Sequence, residues 1–171
     1  MYTEEKLKEL FETRKSKEGL MRFIKSNTEA FSPLLQLSLK NTPEAWRASW
    51  LIGHAMTTND TRVQGAIDSL IEALPSLKEG HQRQTIIILL KMQLDDEQEG
   101  KLFDICLNIW ENIKLIPSTR ITAMKFILSI VDKFTELKDE IKLWTQEQYT
   151  ESLSPGIKHS LNKQIHKTLE S

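Results

Sequence analysis

A basic residue that returns four times at almost constant spacing, each time just behind a helix-start signal, constrains this chain more than any other feature. Arg47, Arg83, Arg120 and Lys158 are separated by 36, 37 and 38 positions. The segments around them align as PEAWRASWLIGHA from Pro43, GHQRQTIIILLKM from Gly80, PSTRITAMKFILS from Pro117 and PGIKHSLNKQIHK from Pro155, the first with an extra residue before its arginine. Upstream of each lies a further apolar helix, marked by Leu34-Leu35, Leu70-Ile71, Cys106-Leu107 and Ile141 with Trp144. A helix-turn-helix unit of this size cannot hide its apolar face alone and must lean on its neighbours. The pattern predicts an all-α fold, a right-handed α-solenoid of stacked antiparallel helix pairs with about four repeats plus an N-terminal cap. The expected organisation is a single domain over residues 1–171, with a cap pair over 1–26 and repeats over 27–171.

Local signals place the helices. Thr3-Glu4-Glu5 sets a capping hydroxyl ahead of first-turn acids, and Leu7, Leu10 and Phe11 follow on one face. Leu20, Met21, Phe23 and Ile24 mark a short second helix. A third is expected over Thr28 to Leu39 from Phe31, Leu34, Leu35, Leu37 and Leu39, with Pro33 limiting it to a start near Ser32 or a kink. Thr42-Pro43-Glu44 predicts a fourth, capped by Thr42, with Pro43 in its first turn and an end near Met56. Val63, Ala66, Ile67, Leu70, Ile71 and Leu74 predict one amphipathic helix over 61–74, stopped by Pro75. Ile86 to Leu90 reads as part of a central buried helix, because its polar neighbours and total length disfavour a strand. Asp95-Asp96-Glu97 opens the next helix, Pro117 another, and Leu137, Ile141, Leu143 and Trp144 form a further apolar face. Ser154-Pro155 begins the last helix, with Ile157, Leu161, Ile165 and Leu169 at four-residue spacing.

The segment Trp46-Arg47-Ala48-Ser49-Trp50-Leu51-Ile52-Gly53 resembles the second helix of a HEAT repeat, where an arginine precedes small and aliphatic residues. The likeness to HEAT/armadillo-like repeat proteins covers residues 28–171 as architecture and is closest in the Arg47 helix. The family's Asp in the turn between paired helices has no clear counterpart, since Asn41, Leu77 and Lys114 stand there. The resemblance implies a concave face formed by successive second helices, on which a partner segment lies.

Composition removes several function classes. A net charge of −1 gives no overall drive toward a polyanion. The longest apolar run, Ile86 to Leu90, is far short of the roughly 20 residues a membrane helix needs. Cys106 is the only cysteine and the start of the chain lacks a secretory signal, so a reducing, cytoplasmic setting is expected. All six glycines are isolated, which leaves no phosphate-binding loop and no nucleophile elbow. His54, His81, His159 and His166 do not form a metal-ligand spacing, and neither a metal nor a cofactor is expected.

The candidate binding residues are Arg47, Trp50, His54, Arg83, Arg120 and Lys158, with no catalytic set. The basic ladder has two readings: its donors satisfy turn carbonyls and helix ends, or they receive acidic side chains or phosphates. Trp46 and Trp50 share a helical face and are expected either between repeats or exposed to a partner. The leading expectation is a non-enzymatic protein–protein interaction scaffold that binds an unidentified protein or peptide. The alternative is a HEAT-like nucleic-acid-binding protein related to alkylpurine DNA glycosylases, which the charge balance disfavours. A polar last helix favours a monomer or weak homodimer.

Overall fold

A computed structural model describes residues 1–13 and 16–171, and among these every regular element is helical. Contacts divide the chain into two compact units, Met1–Gln98 and Glu99–Ser171.

The first unit opens with α1 (Glu4–Thr13), where Thr3 Oγ1 accepts the Lys6 N–H at 3.4 Å. Next comes α2 (Lys17–Ser26), where the Ser16 hydroxyl accepts the Gly19 N–H at 3.1 Å. Each cap satisfies one of the four N–H groups that a helix start leaves unpaired. A 3-10 turn (Thr28–Ala30) leads into α3 (Phe31–Ser38), and Pro33 sits in its first turn, where a missing N–H costs nothing. α4 (Ala45–Ala55) starts later than Thr42-Pro43 predicts. Thr42 is not the cap: its Oγ1 is buried without a hydrogen-bond partner among the described residues, and Glu44 precedes the helix with no side-chain cap.

The single helix expected over 61–74 is broken. α5 (Thr61–Gln64) ends at Gly65, and α6 (Ile67–Ala73) resumes after Ala66. The Ala66 N–H turns back to the Val63 carbonyl at 2.9 Å, and Gly65 supplies the weakest helix former short of proline at the break. The α-helix does stop ahead of Pro75, as expected: α6 ends at Ala73 and Pro75 lies in a 3-10 turn (Leu74–Ser76). α7 (Glu79–Leu89) closes the unit's last pair. α8 (Asp96–Glu111) begins with a reciprocal capping box: Asp95 accepts the Gln98 N–H at 2.8 Å and returns its own N–H to Gln98 at 3.1 Å.

Within this unit the helices form two layers. α1 packs on α3 and α3 on α5, while α2 packs on α4 and α4 on α7; α3 against α4 and α6 against α7 join the layers. Leu34, Leu51, Ile52, Ile67, Leu70, Ile88 and Leu89 fill the space between. Each contributes about 1.5–3 kcal/mol relative to exposure, so packing and not helix propensity holds these short helices. The turn before α5 is clipped to the end of α7. Asn59 takes φ 53°, a left-handed conformation that Asn tolerates better than most side chains, and donates its N–H to the Lys91 carbonyl at 2.7 Å. Asp60 caps α5 through Arg62 N–H and forks the Arg62 guanidinium at 2.9 and 2.7 Å, with that guanidinium stacked 3.7 Å from the Phe31 ring.

The second unit holds the rest of α8, then α9 (Pro117–Lys133), α10 (Ile141–Trp144), α11 (Glu147–Thr150) and α12 (Pro155–Glu170). α9 packs on α12, and a 3-10 stretch (Thr135–Glu140) packs on α9 and α10. Trp110 is fully buried and donates its indole N–H to the Trp144 carbonyl at 2.7 Å. The face expected from Leu137 to Trp144 is narrower than its spacing suggests. Ile141 and Trp144 are buried, but Leu143 is exposed, because in α10 the residues at i and i+3 share a face whereas the residue at i+2 points to the other side. Ser154 caps α12 as expected, accepting the Ile157 N–H at 3.4 Å, while Leu161 is buried and Leu169 is exposed.

Candidate functional site

The last four carbonyls of a helix have no partner inside it, and this chain supplies partners from the start of its second-layer helices. Arg47, near the start of α4, donates Nη1–H to the Phe11 carbonyl of α1 at 2.7 Å and stands 5.2 Å from the Phe11 ring. His81, near the start of α7, has Nε2 2.9 Å from the Ser38 carbonyl at the end of α3. A carbonyl only accepts, so Nε2 carries the proton, and the Ser49 hydroxyl shares that nitrogen at 2.9 Å. Gln82 donates to the Leu74 carbonyl behind α6 at 3.2 Å. Burial lowers the His81 pKa below the ordinary imidazole value, partly opposed by its bond to Ser38.

Arg120 does the same work in the second unit. It is fully buried, donates Nε–H to the Trp110 carbonyl at 2.9 Å and Nη2–H to the Tyr149 carbonyl at 2.5 Å, and lies 4.7 Å from the Trp110 ring. Its Nη1 is buried without a partner among the described residues, and burial lowers its pKa. Arg120 therefore presents no group to a ligand, which corrects its place in the expected binding set. Lys158 lies half-buried in the first turn of α12. The four basic residues share a register without sharing a role.

Arg83 is the exception in the first unit. His81 and Gln82, its neighbours on α7, already satisfy the ends of α3 and α6. Arg83 is half-buried, and its buried Nε has no hydrogen-bond partner among the described residues. On α4 an aromatic stripe recurs every four residues. Trp46 is 45% exposed, Trp50 is half-buried and His54 is exposed, in contrast with the buried Trp110 and Trp144. The Trp50 and His54 rings pack with centroids 4.5 Å apart and planes tilted by 41°, and His54 Nδ1 lies 2.9 Å from the Trp50 carbonyl, so the pair is held in place. On α7, Ile87 is half-buried and Leu90 is exposed. Gly53 forms the seam between the two helices: a methyl group there would meet Ile87 and Ile88 at 3.8 Å.

Sequence reasoning singled out Trp50, His54 and Arg83 but missed His81 as a structural donor. Its only signal was a histidine two residues ahead of a ladder arginine. Among the described residues no group of three or more His, Cys, Asp or Glu is placed to hold a metal, and no helix is long and apolar enough to cross a membrane. Cys106 is buried, and burial pushes its thiol well above the ordinary range, away from the reactive thiolate.

Paired helices in two layers, with second-layer donors closing the ends of first-layer helices, define a helical-repeat protein. The HEAT repeat domain model matches residues 3–169, and the chain belongs to that family. Neither a curated protein nor a solved structure gives a match.

Proposed function

We propose that this protein is a non-catalytic interaction scaffold that binds a segment of another protein across its second-layer helices. The observation that carries this reading is the aromatic stripe on α4. A 45% exposed tryptophan beside a packed Trp–His pair gives the rigid, amphipathic anchors that dominate interface energetics. HEAT repeats generally serve such a role, and family membership supports it here.

The test is affinity capture with the whole chain in parallel with Trp46→Ala and His54→Ala variants of matched stability. The reading predicts a protein partner retained by the wild type and lost by the Trp46 variant. Identical capture profiles for all three would sink it. On this reading the protein works in a reducing, cytoplasmic setting as a monomer or weak homodimer, which light scattering across a concentration series tests.

A further inference from the structure

The near-zero net charge conceals a division between the layers. In the first unit the second-layer helices α2, α4 and α7 carry five basic to two acidic residues, while α1, α3, α5 and α6 carry three basic to six acidic. In the second unit, α9 and α12 carry six basic to two acidic residues. The remaining helical segments from Glu99 onward carry three basic to seven acidic. The sign is the same in both units.

We infer that the α4–α7 face of the first unit binds an acidic protein segment with an apolar or aromatic anchor, the anchor seated by Trp46, Trp50, Ile87 and Leu90 and a carboxylate received by Arg83. This rests on the scaffold reading and specifies its partner. The two stripes belong to one surface. Ser49 meets His81, and Gly53 lies against Ile87, so Arg83 falls between these levels, beside the Trp50 turn of α4. Gly53 lets α7 pack closely on α4, which brings the aromatic residues of one helix beside the aliphatic residues of the other, Ile87 half-buried and Leu90 exposed. Arg47 is tied to the Phe11 carbonyl, whereas Arg83 has been relieved of that duty by His81 and Gln82. The Arg83 Nε is itself sealed from solvent, but the side chain is only half-buried, so its terminal Nη groups are the donors that take a carboxylate through charge-assisted bonds.

Three of the five second-layer cations lie on α2, which packs on α4, so charge complementarity across the layer selects an acidic partner over a basic one. It also favours protein over nucleic acid. Tight, salt-dependent phosphate tracking uses on the order of 6–10 cation contacts. The three second-layer helices offer five cations, two of them, Arg22 and Arg47, already bonded to carbonyls, and the surface shared by α4 and α7 is mainly apolar and aromatic.

The experiment is selection of a random peptide library, about 12 residues long, on the immobilised full chain. Selected peptides are then titrated against wild type, Trp46→Ala and Arg83→Glu, each first checked for an unchanged circular dichroism spectrum and melting curve. The expected result is enrichment of Asp and Glu around an aromatic or aliphatic anchor. Affinity should fall about tenfold or more in both variants, with recovery in Arg83→Glu when the peptide's acid is changed to Lys. If Arg83→Glu fails to fold, Arg83→Gln replaces it, with loss of the preference for Glu over Gln in the peptide as the readout.

Enrichment of basic or uncharged peptides overturns the acidic assignment while leaving the scaffold reading standing. Recovery of no peptide, or peptides insensitive to both substitutions, overturns the docking site. A single-stranded oligo-dT probe that binds more tightly than any peptide and loses affinity in Arg83→Glu reassigns the surface to nucleic acid.

Discussion

Arg120 gives the sharpest test of the idea that second-layer donors hold the repeats together. Truncation to alanine removes two charge-assisted bonds, leaves the Trp110 and Tyr149 carbonyls without a donor, and opens a cavity where a fully buried side chain stood. Each orphaned buried acceptor costs about 1–3 kcal/mol, and cavity formation adds about 24 cal/mol per Å³. Relief from keeping a cation buried returns part of this. The expected loss is about 3–5 kcal/mol, a large share of the roughly 5–15 kcal/mol that stabilises a domain. Arg120→Met separates the terms, because it refills most of the volume but still leaves both carbonyls unpaired. Its expected loss is about 2–3 kcal/mol. Urea unfolding followed by tryptophan fluorescence reports directly, since Trp110 lies against the mutated group. A methionine variant within about 0.5 kcal/mol of wild type would refute the assignment, because packing alone would then account for the site.

His81 predicts an acid-side loss of stability. Its folded pKa lies below the ordinary 6.5, so the unfolded chain takes the proton first. Stability is then complete above that value and falls by up to about 1.4 kcal/mol per pH unit as pH drops toward the folded pKa. Denaturant melts at stepped pH should show a shallower slope in His81→Asn, and equal slopes would remove His81 from the account. Gly53→Ala should stabilise by about 0.5–1 kcal/mol, because the added methyl meets Ile87 and Ile88 at ordinary contact distance in a helix interior. A lowered melting temperature would mean that the α4–α7 seam is tighter than described. Asp60→Ala should cost about 2 kcal/mol through the lost cap and the lost Arg62 fork. Arg62 and the Thr57 and Arg62 N–H groups hold the Asp60 pKa far below the usual carboxylate range. That contribution is therefore present above the unfolded pKa of 3.8 and disappears only in stronger acid, an order that acid titration of the variant checks.

What could be read from the sequence was whatever depends on neighbours in the chain. The roughly 37-residue period, the apolar faces and the Ser154 cap are local patterns, and helix pairs that must stack follow from them. Boundaries failed at Thr42, whose hydroxyl is buried instead of capping, and at the Gly65 break, where a local weakness outweighs the apolar period. Function divided along the same line. Arg47, Arg83 and Arg120 look equivalent in the repeat, yet one bonds a carbonyl 36 residues back, one is buried in a core and one is left over. Which helix end lies within reach, and whether a neighbour such as His81 already fills it, is decided by the packing of residues distant in sequence, and spacing along the chain carries no record of that.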